Sequence, residues 1–262
     1  NADALAHVVR AFKNDNVMHP RDTVNPVRDV QSLEEELQLI DLIVLEKRVE
    51  RLEKEHRKDQ EYELMVRCKA HLESGKPLRT LDFSAQDALL LRSYSLLSQK
   101  PMMLLCNSGD DGLGEADPGG LSEIASALGL DLISFCGALE MEVNGLPEEE
   151  RAAFREELGM GEESRTRFIQ FAYSMLGLIS FLTAGEPEVR AWTIRKGDHA
   201  VDAAGVIHSD IKRGFIRAET VAYADFMEAG SMAKAKEKGK VRLEGKDYIV
   251  QDGDMMLFRF NV

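Results

Sequence analysis

A heptad-like stretch leaves this chain few ways to fold. From Val30 to about Lys58 apolar side chains recur at Leu33, Leu37, Ile40 and Val44 and again at Leu45, Val49 and Leu52, with Glu, Lys and Arg between them. Steps of three and four residues align these side chains along one seam of a helix, and such a seam needs an apolar partner. A shorter, more polar arm from about Gln60 to Leu72 ends at Ser74-Gly75, so the simplest arrangement is an antiparallel helical hairpin of coiled-coil character. Asn25-Pro26 opens the first arm, Pro being tolerated at the first helical position, where its missing N–H has no partner to lose.

Strands are expected on both sides of the hairpin. Asp3 to Phe12 is a nearly continuous apolar run of strand length, the kind a parallel sheet covered on both faces requires. Pro101 to Cys106 and Leu132 to Cys136 are further buried strands, separated by a helix from Gly119 to Leu130 that Gly129 stops. Ser84, with Asp87 three residues on, caps a helix running to about Ser98. The alternation is that of an α/β sheet with the hairpin inserted between its strands. Helices are expected at Pro147 to Leu158 and Arg165 to Leu178, and short strands and turns after about Ser180.

At 262 residues the chain can build more than one core. Its net charge of −13 falls entirely on residues 1–182, because the part from Thr183 onward carries 13 basic against 13 acidic residues. An acidic body repels phosphate backbone, which argues against sequence-independent binding to double-stranded DNA and leaves local RNA contacts. Cys68, Cys106 and Cys136 contain no C-x-x-C pair, so neither a disulfide framework nor a zinc site is expected, and a reducing cytoplasm fits best. No apolar run approaches the ~20 residues of a membrane span.

The residues that can carry chemistry lie beyond the strands. In nucleotide-binding α/β folds the base is held by loops at the carboxyl ends of strands. The strand from Pro101 delivers Asn107-Ser108-Gly109-Asp110 to that edge, where Asn107 can brace the loop and the Asp110 carboxylate can read a base. The next strand delivers Cys136, Gly137 and Ala138, whose backbone amides would face the base. Asn, Gly and Asp also favour ordinary turns, so the pattern acquires weight from two such loops following consecutive strands. Asp202-Ala203-Ala204-Gly205 mimics a D-x-x-G magnesium loop but follows no buried parallel strand and reads as a helix start. No G-x-x-x-x-G-K-[ST] phosphate loop occurs. His208, Lys212, Arg213 and Arg217, with Phe215 and Tyr223, offer cations and stacking surfaces to single-stranded RNA, and Lys234 to Arg242 is a basic stretch.

Three blocks carry a resemblance. Phe12-Lys13-Asn14-Asp15-Asn16-Val17-Met18-His19 is similar to an F-x-N-D-N-I-I-H segment, Ala203 to Asp210 and Gly214 to Glu219 form a second block, and Glu244 to Asp254 closes the chain. Together with Arg190-Ala191-Trp192-Thr193-Ile194 they resemble the YchF, or Obg-like ATPase, family of P-loop nucleotide hydrolases. The resemblance implies an α/β plus α+β multidomain chain. Residues 1–28 and 99–180 would form a partial nucleotide-binding domain, 29–98 an inserted helical coiled-coil domain, and 181–262 a ubiquitin-like β-grasp TGS domain. It implies ATP or GTP with Mg²⁺ bound in an intact protein, association with ribosomes, and a hydrolytic role for His19, whose family counterpart lies on a mobile loop. The family's base loop is usually N-x-x-E; here Asp110 stands at the Glu position, which puts ATP against GTP preference in question. Without a phosphate loop the chain is expected to be a large fragment, inactive alone and without a metal site. A non-enzymatic adaptor binding RNA or ribosomes through its TGS and helical parts is the alternative, and a purely structural coiled coil a further one.

Overall fold

The computed structural model describes residues 2–185 and 188–261. The chain divides into two compact units, residues 1–172 and 173–262.

The first unit is organised around a three-stranded parallel sheet in the order β1-β2-β3, with β1 at Leu5–Ala11, β2 at Met102–Ser108 and β3 at Asp131–Phe135. Met102, Leu104 and Cys106 on β2 pack with Val9, Leu121, Ala125 and Leu130. Helix α1 (Pro26–Lys54) is unbroken over 29 residues and serves two cores. Its first half sends Val30 and Leu37 into the sheet core, and its second half sends Leu45, Val49 and Leu52 against Leu64, Met65, Cys68 and Leu72 of α2 (Gln60–Glu73). The short connection from Lys54 to Gln60 makes the hairpin antiparallel, and Arg48–Glu61 and Lys69–Glu46 pair across it.

The base of the hairpin is tied by buried polar groups. Glu34 on α1 meets Arg79 at 2.6 Å, with both side chains less than a tenth exposed. Asp41 accepts the Leu97 and Ser98 backbone N–H groups at 2.8 and 2.6 Å and the Ser98 hydroxyl at 2.6 Å. These contacts explain a departure from expectation. The helix capped by Ser84, α3 (Ala85–Leu91), ends well before Ser98, because the chain turns through a left-handed Ser95 (φ 52°) and presents the next amides to Asp41.

Helices α4 (Ser122–Leu128), α5 (Gly137–Gly145), α6 (Glu148–Glu157) and α7 (Ser164–Met175) complete the sheet-proximal part. Helix α4 stops at Gly129, which is left-handed at φ 63°.

The second unit is a five-stranded mixed sheet in the order β5-β4-β8-β6-β7: β4 Leu178–Ala184, β5 Val189–Arg195, β6 Phe215–Ala222, β7 Arg242–Glu244 and β8 Asp254–Phe260. The β4–β8 pair is parallel and the other pairs are antiparallel. Strand β4 starts ahead of the boundary expected at residue 181, and the unit itself starts at Tyr173. The expectation of strands and turns alone after Ser180 fails. Four short helices lie here: α8 (Ala200–Ile207), α9 (Ser209–Arg213), α10 (Tyr223–Ala229) and α11 (Met232–Glu237). Ala200, Ala203 and Ala204 of α8 pack against Phe181, Phe215 and Phe258, small side chains letting the helix approach the sheet. Asp202 therefore belongs to a helix, as read from its sequence context. Gly214 is required by a close approach, since a Cβ there would lie 2.1 Å from the Asn261 carbonyl oxygen.

Candidate functional site: the loops at the carboxyl edge of the parallel sheet

Strands β2 and β3 run side by side, with Asn107 paired to Phe135 at their carboxyl ends, so the following loops start together. The Asn107 side-chain oxygen accepts the Gly137 N–H at 2.9 Å and joins the two loops. Asn107 thus braces the site. The same bond occupies the Gly137 amide, which is not free to face a base. Gly109 lacks the Cβ that would sit 3.3 Å from that of Phe12, and the chain then turns through Asp110–Gly112. Asp110 Oδ1 accepts the Asp111 N–H at 3.1 Å.

A cleft of about 800 Å³ opens at this edge. Asn107, Asp110, Asp111, Ala138 and Leu139 line it together with Phe12 to Asn14. Ala138 and Leu139 belong to the first turn of α5, where backbone N–H groups have no partner within the helix and the dipole is positive. The cleft therefore sets the carboxylates of Asp110, Asp111 and Glu142 beside the first-turn main-chain N–H groups of α5.

Cys136 does not line this cleft. It is buried and lines a neighbouring cleft that shares Ser108 and Pro118 with the first. There Glu140 accepts from Arg155 Nη1 at 2.9 Å and from the Ser164 N–H at 3.2 Å. Burial pushes the Glu140 carboxyl up, but these hydrogen bonds outweigh it and hold the group below its ordinary value. Asp117 is likewise held low: burial opposes, and the Ser122 and Leu121 amides at 2.9 and 2.8 Å prevail. Neither interaction has a sequence signature beyond an Asp or Glu near a helix.

His19 does not join this cleft. It lies on the loop between β1 and α1, in a separate hollow lined by His7, Met18, Asp29 and Glu36, with its Nε2 3.0 Å from Asp29 Oδ2. Its side chain is 13% exposed.

The basic residues of the second unit are mostly compensated. Lys212 contacts Asp202 at 2.9 Å, Arg213 contacts Asp210 at 2.8 Å, and His208 Nδ1 accepts the Asp210 N–H at 3.1 Å. Lys238 and Lys240 pair with Glu228 and Asp225. His208, Lys212 and Arg213 remain at the surface, each beside an acidic residue. Arg217 has no ion pair among the described residues. Also among the described residues, no group of three or more His, Cys, Asp or Glu converges to hold a metal ion, and no helix is long and apolar enough to cross a membrane.

Comparison with known proteins decides the family. Ribosome-binding ATPase YchF of Bacillus subtilis is 45% identical over 271 residues, spanning 99% of this chain and 74% of that protein. The chain belongs to the YchF/Obg-like ATPase family. The YchF of Escherichia coli O157:H7 is 43% identical over 99% of this chain and 73% of its own length, and Obg-like ATPase 1 of Rattus norvegicus 36% identical over 99% and 68%. A model named YchF-GTPase_C, described as a protein of unknown function (DUF933), matches residues 178–261, which is the sheet of the second unit. The structure of the Schizosaccharomyces pombe YchF GTPase superposes with a TM-score of 0.87 at 29% identity, covering 98% of this chain and 72% of that one. The α/β multidomain architecture is thus that of a YchF protein.

Proposed function

We propose that this chain is part of a YchF-type ATP- or GTP-hydrolysing protein that associates with ribosomes in the cytoplasm, and that the cleft at Asn107, Asp110 and Ala138 holds the nucleotide base. The observation that carries this reading is the Asn107–Gly137 bond, which sets a loop bearing two carboxylates beside the free first-turn amides of α5. The residues fit a purine: a carboxylate accepts from ring or exocyclic N–H groups, and the amides donate to ring or carbonyl acceptors. ATP or GTP with Mg²⁺ supplies the phosphoanhydride that is hydrolysed; this chain's part is to bind and orient the base. His19 orients or deprotonates the attacking water, a role suited to imidazole. The mixed sheet with a parallel central pair and α8 across it supports reading residues 181–262 as a TGS domain, and the α1–α2 seam supports the coiled-coil reading. Arg217 is the best placed of the proposed RNA contacts.

Calorimetry of the 262-residue chain with ATP and GTP tests the phosphate dependence of binding. No heat is expected, because the phosphate cradle is the main electrostatic anchor of such sites. Micromolar binding overturns that expectation. In a protein that includes a phosphate loop, competitive binding with and without Asp110→Glu tests the base cleft. GTP is expected to compete within about tenfold of ATP, and Asp110→Glu to shift preference toward ATP. A wild-type preference for ATP beyond about a hundredfold, unchanged by the substitution, removes Asp110 from base recognition.

A further inference from the structure

Asp29, in the first turn of α1, uses its two oxygens differently. Oδ1 accepts from Arg28 Nε at 3.0 Å and Nη2 at 2.8 Å. Oδ2 is buried, finds no well-aligned hydrogen-bond donor among the described residues, and lies 3.0 Å from His19 Nε2. The contact is thus a close approach of the ring edge to the carboxylate rather than a well-aligned hydrogen bond. At the other side of the ring, His19 Nδ1 accepts the Arg21 N–H at 3.2 Å. An acceptor Nδ1 puts the proton of the neutral ring on Nε2, facing the carboxylate.

The remaining charged groups at this hollow are accounted for. Arg10 sends its guanidinium to the carbonyls of Phe12, Asn14 and Val17 at 2.9, 3.1 and 2.8 Å. His7, on β1, has a buried Nδ1 without a partner among the described residues; burial holds its pKa low against the opposing pull of Asp29. Arg21 and Glu36 line the rim.

We propose that Asp29 is a positioning residue for His19, docking the imidazole against α1 in an idle arrangement from which the ring must be released before it can act on water. The inference rests on the hydrolytic reading of His19. While docked, the ring has no free lone pair, since Nδ1 is taken by Arg21 and Nε2 carries the proton. The loop is anchored at both ends, by Arg10 at Phe12 to Val17 and by Arg28 at Thr23, whose hydroxyl and carbonyl it holds at 2.8 and 2.7 Å. Between these anchors Met18 is 85% exposed, and Asp22 adopts a left-handed φ of 59° that few side chains favour. The Nε2–Oδ2 contact is separate from the bonds that make both anchors, so its loss alone leaves them in place.

The test is ¹H–¹⁵N NMR of the full 262-residue chain without nucleotide, following the His19 ring N–H and the Arg21 amide. In Asp29→Asn and Asp29→Ala both protons are expected to exchange with water about 10-fold faster or more, while α1 amides from Val30 to Leu52 keep their protection. If exchange at both positions stays within about twofold of wild type in the two variants, the docking proposal falls. If Asp29→Ala also loosens the start of α1, the Asn variant decides, because it keeps the shape and removes the charge. This measurement involves no hydrolysis. Its failure leaves the catalytic reading of His19 untouched, and failure of that reading in turnover leaves the docking contact standing.

Discussion

The side-chain oxygen of Asn107 and the backbone N–H of Gly137, 30 positions apart, lie 2.9 Å from each other and join the carboxyl ends of β2 and β3. A buried donor left without its acceptor is worth about 1–3 kcal/mol, and this one is partly exposed. Asn107→Ala is therefore expected to lower the stability of the first unit by about 1–2 kcal/mol in urea unfolding, and Asn107→Asp, which still accepts, by less. Equal stability of all three proteins contradicts the bracing role.

Asp41 receives three hydrogen bonds, two of them from the fully buried Ser98. Its replacement by Ala orphans the Leu97 and Ser98 amides together. We expect a loss of about 3 kcal/mol or more, among the larger effects of a single substitution. A loss below about 1 kcal/mol in the urea midpoint shows that water replaces the carboxylate.

Tyr248 donates its hydroxyl to Asp254 Oδ2 at 2.8 Å and accepts from Arg242 Nη2 at 2.9 Å. Burial first, then the bond to Asp254, pushes its pKa from 10.0 up to about 12. A raised folded value stabilises the fold fully below pH 10.0, and that contribution is lost as pH rises through about 12. The second unit should weaken across this window, with the phenolate absorbance of Tyr248 appearing only near its top. Tyr248→Phe should flatten the dependence. A tyrosine titrating at its ordinary pH would show that the network is open to solvent.

In a longer protein that contains a phosphate loop, His19→Ala is expected to lower kcat about 10-fold or more and leave nucleotide affinity nearly unchanged, as for a group acting in the transition state. Single-turnover hydrolysis and equilibrium binding separate the two effects. An unchanged kcat confines His19 to its contact with Asp29.

The parts of the fold legible in the chain are those with local periodicity. The α1 seam at Leu45, Val49 and Leu52, the run of β1 and the Ser84 capping box all follow from spacing within a few residues. Asn107 is legible for the same reason, since it lies at the carboxyl end of a buried strand. Asp41 gave no such sign, because its partners lie 56 and 57 residues away and a lone Asp on a helix looks solvated. The docking of His19 on Asp29 was hidden by the loop between them, and the neutralisation of Lys212 by Asp202 by the turn between α8 and α9. Helices α8 to α11 have eight residues or fewer, too short for a helical period to stand out from turns.

Helix α1 spans about 43 Å without a break, and its one pair of deeply buried carboxylates, Glu34 and Asp41, grips the body near the middle. Mechanically this is a beam on a fulcrum: Asp29 lies about 18 Å to one side of Asp41 and the hairpin tip at Lys54 about 20 Å to the other. Packing on the sheet core on one side and on α2 on the other holds both arms, so the same carboxylate pair sets where the hairpin leaves the sheet.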